Sequence, residues 1–146
     1  MRGELRAHAC NIAYRQGQIM VMQPGKHEVL EQPSAWVRQW AARITPGGTV
    51  LDVACGGGRH ARLLAGLGYR VEAVDRDAES LCGLAGVSGV TTCEADLESG
   101  AWPYAGRTFD AVIVTNYLHR PLFPRLFAAL APGGVLIYET FAAGNE

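Results

Sequence analysis

Three consecutive glycines, Gly56-Gly57-Gly58, follow an apolar run that a single carboxylate, Asp52, interrupts. The run over residues 49–53 is rich in β-branched residues, which predicts a buried strand of a parallel sheet. Residues 61–67 have helical spacing, so the chain turns through glycine from a strand into a helix. The first turn of that helix leaves backbone N–H groups unpaired, and glycine lets a ligand approach them. Because a carboxylate is costly to bury unless it binds something, Asp52 indicates a ligand above the glycines.

Other polar residues end the strands that follow. Asp75 ends the second strand, at the distance from the glycines where a carboxylate can accept hydrogen bonds from ribose hydroxyls. The alternative is that Asp75 caps a helix together with Asp77. Asp96 ends the third strand, beside the expected position of an adenine ring, and its alternative is a plain turn acid. Residues 116–119 follow the fourth strand and are expected to border the reactive end of the ligand.

The elements that position these residues alternate between strands and helices. Such alternation predicts right-handed βαβ units and an α/β, Rossmann-like, doubly wound parallel sheet in three layers. In this sheet the ligand lies beyond the carboxyl ends of the strands, where the glycines and acids fall. We divide the chain into an N-terminal arm, residues 1–33, and a ligand-binding domain, residues 34–146. Strands are predicted over 49–53, 69–75, 90–95, 109–115 and 135–140, and helices begin near Ser34, Ala61, Asp77 and Pro121.

Composition excludes several classes of protein. The 146 residues are 49% hydrophobic with a net charge of −1, which argues against a nucleic-acid footprint and against disorder. No apolar run reaches membrane-spanning length and no signal peptide is evident, so we expect a cytoplasmic protein without a membrane partner. The four cysteines lack metal-ligand spacing, and we predict reduced core residues and no metal site. Cys55 is the exception to watch, because it borders the glycine turn.

Two nucleotide-like ligands compete for the glycine turn. The pattern Gly56-x-Gly58-x-x-Ala61 fits the dinucleotide fingerprint, with an acid at the right distance. However, Asp52 would place a negative charge beneath the pyrophosphate of NAD, and the chain has no Tyr-x-x-x-Lys. S-adenosylmethionine has adenine and ribose but no phosphates, and its ammonium could be held by an acid near the glycines. The residues therefore favour S-adenosylmethionine over NAD as the cofactor.

The segment VLDVACGGG, residues 50–58, resembles the first motif of class I S-adenosylmethionine-dependent methyltransferases. The resemblance extends over residues 34–141, and residues 56–61 with Gly68-Tyr69 are similar to the small tellurite-resistance type. It implies the strand order 3-2-1-4-5 and methyl transfer to an acceptor. Later landmarks that match in order and spacing are Val74-Asp75, Ala95-Asp96, Phe109-Asp110-Ala111-Val112 and Leu130-Ala131-Pro132-Gly133-Gly134-Val135-Leu136.

The resemblance also implies roles for individual residues. The first-motif residues would contact the methionine part, Asp75 the ribose, and Asp96 with Leu97 the adenine. His119 is the candidate catalytic base, since an unshifted imidazole titrates near neutrality; its alternative is a surface residue at a loop-to-helix junction. The full predicted cofactor-binding set is Asp52, Ala54, Cys55, Gly56, Gly57, Gly58, Asp75, Arg76, Asp96, Leu97, Asn116 and Tyr117.

Two departures from the family pattern qualify these expectations. Residues 116–119, Asn-Tyr-Leu-His, differ from the Asn-Pro-Pro-Tyr of amino-directed nucleic-acid methyltransferases, so we expect a small-molecule acceptor. The family continues past the fifth strand with a helix and an antiparallel strand pair, whereas this sequence ends at Glu146. We therefore expect the last two strands to be missing and strand 135–140 to be an open edge that promotes homo-oligomers, unless Ile19–Met22 pairs there. The functional alternative is a remnant or subunit that binds the cofactor without transferring a methyl group.

Overall fold

The structure is a computed structural model that describes residues 8–15, 18–22 and 32–142. None of the helices in these ranges is long and apolar enough to cross a bilayer. The strands are β1 (His8–Arg15), β2 (Gln18–Met22), β3 (Thr49–Val53), β4 (Arg70–Asp75), β5 (Val90–Glu94), β6 (Phe109–Thr115) and β7 (Leu130–Ala142). The helices are α1 (Ala35–Ala41), α2 (Arg59–Gly66), α3 (Ala78–Cys82) and α4 (Phe123–Ala128), with a 3₁₀ turn (Arg120–Leu122) before α4.

Over the described ranges, seven strands form one sheet in the order β2-β1-β7-β6-β3-β4-β5. Strands β3 to β7 are parallel to one another, which confirms the predicted α/β fold with a doubly wound parallel sheet. The parallel part of the sheet begins at β3, extends to β4 and β5 on one side, and then crosses to β6 and β7 on the other. The point where the order reverses therefore lies between β3 and β6, directly at the glycine turn.

Helices α1 and α2 cover one face of the sheet, and α4 covers the other together with the segment after β5. Helix α1 begins as predicted, because the Ser34 hydroxyl accepts hydrogen bonds from the N–H groups of Trp36 and Val37 at 3.1 and 3.3 Å. The two tryptophans of α1, Trp36 and Trp40, are buried on that face and meet edge to face. Their burial anchors the N-terminal end of α1 above the carboxyl edge of the sheet.

The prediction of an open edge at residues 135–140 was wrong. Strand β1 pairs antiparallel with β7 along this whole stretch, from Arg15 opposite Val135 to His8 opposite Ala142. Strand β2 contains Ile19–Met22, the segment named as the alternative cover for that edge, but it pairs with β1, one position further out. The Tyr14 ring also packs edge-on against Phe127 of α4, with ring centroids 5.3 Å apart. Strand β1 thus covers β7, and the basis for association through that edge is gone.

Candidate functional site

The register of the parallel strands places polar residues in a row along the carboxyl edge of the sheet. Val53 of β3 pairs with Val74 of β4 and with Val114 of β6, so the following residue, Ala54, lies between Asp75 and Thr115. Thr115 in turn pairs with Glu139 of β7. With neighbouring strands ~4.8 Å apart, the row from Asp75 to Glu139 is about 14 Å long. Ala54, at the start of the glycine turn, stands between the two acids.

The glycine turn is held by Asp75. One oxygen of its carboxylate accepts from the Gly56 N–H at 2.8 Å, and the other accepts from the Asp77 N–H at 2.9 Å. Asp77 is the N-cap of α3, as its side chain accepts from the Glu79 N–H. The two alternatives considered for Asp75 therefore involve the same carboxylate, which joins the glycine turn to the start of α3 while lining a cleft.

Asp52 is the unusual group of the site. Its side chain is 1% exposed, and neither carboxylate oxygen has a hydrogen-bond partner in the described part of the chain. Burial raises the pKa of Asp52 from 3.8 to about 7; the nearby Ala61 N–H, which falls short of a hydrogen bond, and the Arg59 guanidinium lower it only in part. An unpartnered buried carboxylate is costly, so a cationic ligand group is the partner that would offset this cost.

A cleft opens on the β4–β5 side of the glycine turn. Its floor and walls come from the ends of four strands, β3 to β6, and the segments that follow them. Asp96 holds the turn after β5, because its carboxylate accepts from the Glu98 N–H, the Ser99 N–H and the Ser99 hydroxyl. The Ser99 hydroxyl and these N–H groups also lower the pKa of Asp96 below its usual value. The lining residues are Ala54, Asp75, Arg76, Ala95, Asp96, Leu97, Glu98 and Tyr117.

The residues after β6 lie at different distances from this cleft. Tyr117 lines it and donates its hydroxyl to Glu98 Oε1 at 3.3 Å. His119 is not among the lining residues; its Nδ1 lies 3.6 Å from the same Glu98 oxygen, and it precedes the 3₁₀ turn. Asn116 is exposed and has a left-handed backbone, φ +53°, with its N–H donated to the Glu139 carbonyl at 2.8 Å. The predicted base therefore lies at the rim of the cleft.

Two further residues of the predicted cofactor-binding set, Cys55 and Gly57, belong to the glycine turn. Burial, followed by the charges of Asp52 and Asp75, raises the pKa of the Cys55 thiol to about 12, so the thiol stays protonated at neutral pH. Its sulfur faces the Gly56 carbonyl at 3.6 Å. Gly57 is exposed, and no atom lies within 4 Å of the Cβ it would carry as alanine. A protonated thiol is a poor nucleophile, and Gly57 leaves open space above the turn.

A polar network on the α1–α2 face was missed from the sequence. His60 is 2% exposed, and its Nε2 accepts from the Ser34 N–H at 2.9 Å. The ring proton is therefore on Nδ1, 3.3 Å from the Thr115 hydroxyl. Burial, aided by the charges of Arg59 and Arg38, lowers the pKa of His60 to about 3 and keeps the ring neutral. The Ser34 hydroxyl donates to Glu139 Oε2, so the network joins α1, α2, β6 and β7 at the edge.

Comparison with known proteins identifies the fold around this site. The family model described as "Methyltransferase domain" matches residues 50–134, from β3 and the glycine turn through the start of β7. The chain belongs to this methyltransferase family. The matched residues include Asp52, the glycine turn, Asp75 and Asp96. Ser34 and Glu139 lie at the same edge of the sheet but outside the matched range.

Relatives of this methyltransferase domain differ in their acceptors. The Protein-L-isoaspartate O-methyltransferase of Ruegeria sp. (strain TM1040) is 32% identical, over 75% of this chain and 53% of its own length. The Trans-aconitate 2-methyltransferase of Paracidovorax citrulli (strain AAC00-1) is 38% identical, over 62% of this chain and 37% of its own. The solved DhpI-SAM-HEP complex is 29% identical with a TM-score of 0.55, covering 70% of this chain and 51% of that one. The chain spans about half, or less, of the length of these proteins.

Proposed function

We propose that this domain binds S-adenosylmethionine and serves methyl transfer to a small-molecule acceptor. The observation that carries the proposal is the Asp52 carboxylate, buried without a partner beneath the glycine turn. An ammonium is the complementary group, and S-adenosylmethionine has one at its methionine end. The family match and the solved relative in complex with S-adenosylmethionine support the same ligand.

The residues that would hold this cofactor follow from the site. Asp52 would pair with the ammonium, and the glycine turn would receive the methionine part. Asp75 retains acceptor capacity for ribose hydroxyls, since a carboxylate can accept about four hydrogen bonds and the structure shows two. Leu97, which is buried in the cleft wall, gives an apolar surface for adenine, with Asp96, Arg76 and Tyr117 around it.

The bound cofactor would supply an activated methyl group on a sulfonium. The chain's own contribution is then to orient the two reactants and to exclude water from them. His119 remains the candidate base from the sequence. Its position at the rim, 3.6 Å from Glu98, requires a small movement before it could receive a proton from an acceptor in the cleft.

S-adenosylhomocysteine is expected to raise the melting temperature of the chain, whereas NAD is not. At a ligand concentration of 100 times Kd the stabilisation is ~2.7 kcal/mol. For a domain of this size that corresponds to a shift of about 10 °C. NAD should fail because its pyrophosphate would lie above the Asp52 carboxylate. Thermal unfolding with each ligand tests this, and stabilisation by NAD alone would refute the proposed cofactor. Binding without transfer to any acceptor in a broad panel would favour the non-catalytic alternative.

Asp75→Ala should weaken S-adenosylhomocysteine binding at least about tenfold, since charge-assisted hydrogen bonds contribute ~1.5–3 kcal/mol each. The substitution removes the ribose acceptor and also frees the Gly56 N–H that shapes the turn. Asp77→Ala is the matched control, because it removes the α3 cap and leaves the Gly56 bond in place. Isothermal titration should give a Kd for Asp77→Ala close to that of the wild type. An unchanged Kd in folded Asp75→Ala would remove Asp75 from the site.

A further inference from the structure

Glu139 stands at the opposite end of the edge row from Asp75. Its side chain is half-buried at the end of the regular part of β7. Within the described ranges, Ser34 Oγ is its side-chain hydrogen-bond partner and none of the Lys, Arg or His side chains forms an ion pair with it. A half-buried carboxylate that lacks a counter-charge is poised for a cationic or N–H-bearing ligand group.

The network found above fixes the position of this carboxylate. The Ser34 hydroxyl donates to it, and the Ser34 N–H is in turn held by His60 Nε2 at 2.9 Å. The segment before α1 has a second tie, from Arg59 Nη1 to the Gln32 carbonyl at 2.8 Å. The backbone of Glu139 is held as well, since its carbonyl accepts from the Asn116 N–H. Such double support is what a preorganised binding group requires.

The position of Glu139 in the row of strand ends determines which of the two reactants, the cofactor or the methyl acceptor, it can contact. Asp75 lies one strand from Ala54 on the cleft side, whereas Glu139 lies two strands away on the other side, about 10 Å from Ala54 at ~4.8 Å per strand. With the ribose assigned to Asp75, the β6–β7 end of the row is left for the second reactant. Asp52, buried beneath the turn, lies on the same face of the sheet as His60 and the α1–α2 core.

We infer that Glu139 is the acceptor-binding carboxylate and that the methyl acceptor carries an amine. This rests on the proposed function and names the substrate class for the same site. The carboxylate can hold an ammonium by an ion pair or a neutral amine by accepting its N–H, and it repels acceptors that are themselves carboxylates. Ser34 and His60 act through Glu139 as positioning residues.

The test uses two cofactor analogues with the full chain. S-adenosylhomocysteine lacks the transferred methyl group, and sinefungin carries an amine on the carbon that replaces the sulfur. The ratio of their Kd values by isothermal titration therefore reports a carboxylate near the acceptor position. Glu139→Gln should lower the preference for sinefungin by about tenfold, the loss expected for one charge-assisted contact. Its Kd for S-adenosylhomocysteine should stay within about twofold, which also shows that the variant folds.

Control variants make the result specific. Glu79→Gln, an exposed glutamate in the first turn of α3, should leave the ratio unchanged. Ser34→Ala should lower the ratio in the same direction as Glu139→Gln, and Ser34→Thr, which keeps the hydroxyl, should restore it. An unchanged ratio in Glu139→Gln with S-adenosylhomocysteine still bound overturns this inference and leaves the proposed function standing. Failure of the wild type to bind S-adenosylhomocysteine overturns the proposed function, and the inference with it.

Discussion

Asp52→Asn is expected to stabilise the ligand-free chain at pH 8 and to weaken its binding of S-adenosylhomocysteine at least tenfold. Burial raises the pKa of Asp52 from 3.8 to about 7. At ~1.4 kcal/mol per pKa unit, ionising Asp52 inside the fold costs about 4 kcal/mol. A buried asparagine amide without partners costs about as much as the protonated carboxyl that it replaces, so nearly all of this ~4 kcal/mol should be gained at pH 8. Binding weakens because a neutral amide cannot form the ion pair with an ammonium.

The pH dependence distinguishes this effect from a general change in packing. Between pH 4 and 7 the folded wild type retains a proton on Asp52 that the unfolded chain has lost, because the folded pKa is the higher one. The contribution of Asp52 to the free energy of unfolding therefore falls as the pH rises through this window. Asp52→Asn lacks this dependence, so the two proteins should converge near pH 4 and differ most at pH 8.

Urea unfolding at pH 4.5 and pH 8 measures the difference. Asp77→Asn is the control with the opposite sign, since the Ser80 hydroxyl and the Glu79 N–H lower the pKa of Asp77. Its carboxylate stabilises the fold at neutral pH, and that contribution is lost as the pH falls through its folded pKa. An Asp52→Asn protein that is less stable than the wild type at pH 8 would show that Asp52 is ionised and satisfied in the ligand-free fold.

The parallel part of the sheet could be predicted from sequence because its signals are local. Strands β3 and β6 are apolar runs, β4 alternates between polar and apolar residues and ends on an acid, and the helix after Ser34 carries its own cap. Strand β1, His8–Arg15, has no such signal. Its strand conformation depends on pairing with β7, more than 110 residues away, and no pattern within eight residues contains that information.

The candidate site likewise has one part that could be predicted from the sequence and one part that could not. The position of Asp75 and Asp96 at the carboxyl edge of the sheet could be predicted, because acids at strand ends have a position that follows from the fold class. Asp52 stands out in the sequence as the single carboxylate within the apolar run of β3. The hydrogen-bond partners of these carboxylates could not be predicted from sequence, as the bond from the Ser99 hydroxyl to Asp96 shows. The network of Ser34, His60 and Glu139 joins residues 26 and 105 positions apart. It depends on how α1 packs above β7, which periodicity does not determine.

Gly58→Ala should destabilise the chain by about 2–5 kcal/mol, the sum of ~1–2 for a left-handed residue and ~1–3 for overpacking. Gly58 has φ +83°, and an added Cβ would clash with Leu84 Cδ2, which belongs to a side chain that is 1% exposed. Because a domain of this kind is stable by only ~5–15 kcal/mol, the melting temperature should fall by about 10 °C or more. Thermal unfolding measures this, and a fall of under about 2 °C would show that Leu84 yields freely.

Gly57→Ala is the matched control, and it also tests the ligand. An added Cβ at Gly57 meets no atom within 4 Å and its φ is not left-handed, so stability should change by no more than ~0.5 kcal/mol. The same open space is where the proposed cofactor would approach the backbone. Gly57→Ala should therefore weaken S-adenosylhomocysteine binding by about tenfold or more without changing the melting temperature of the ligand-free chain. If binding also stays unchanged, the ligand does not pass over Gly57, and the cofactor must contact the turn only through its flanking residues.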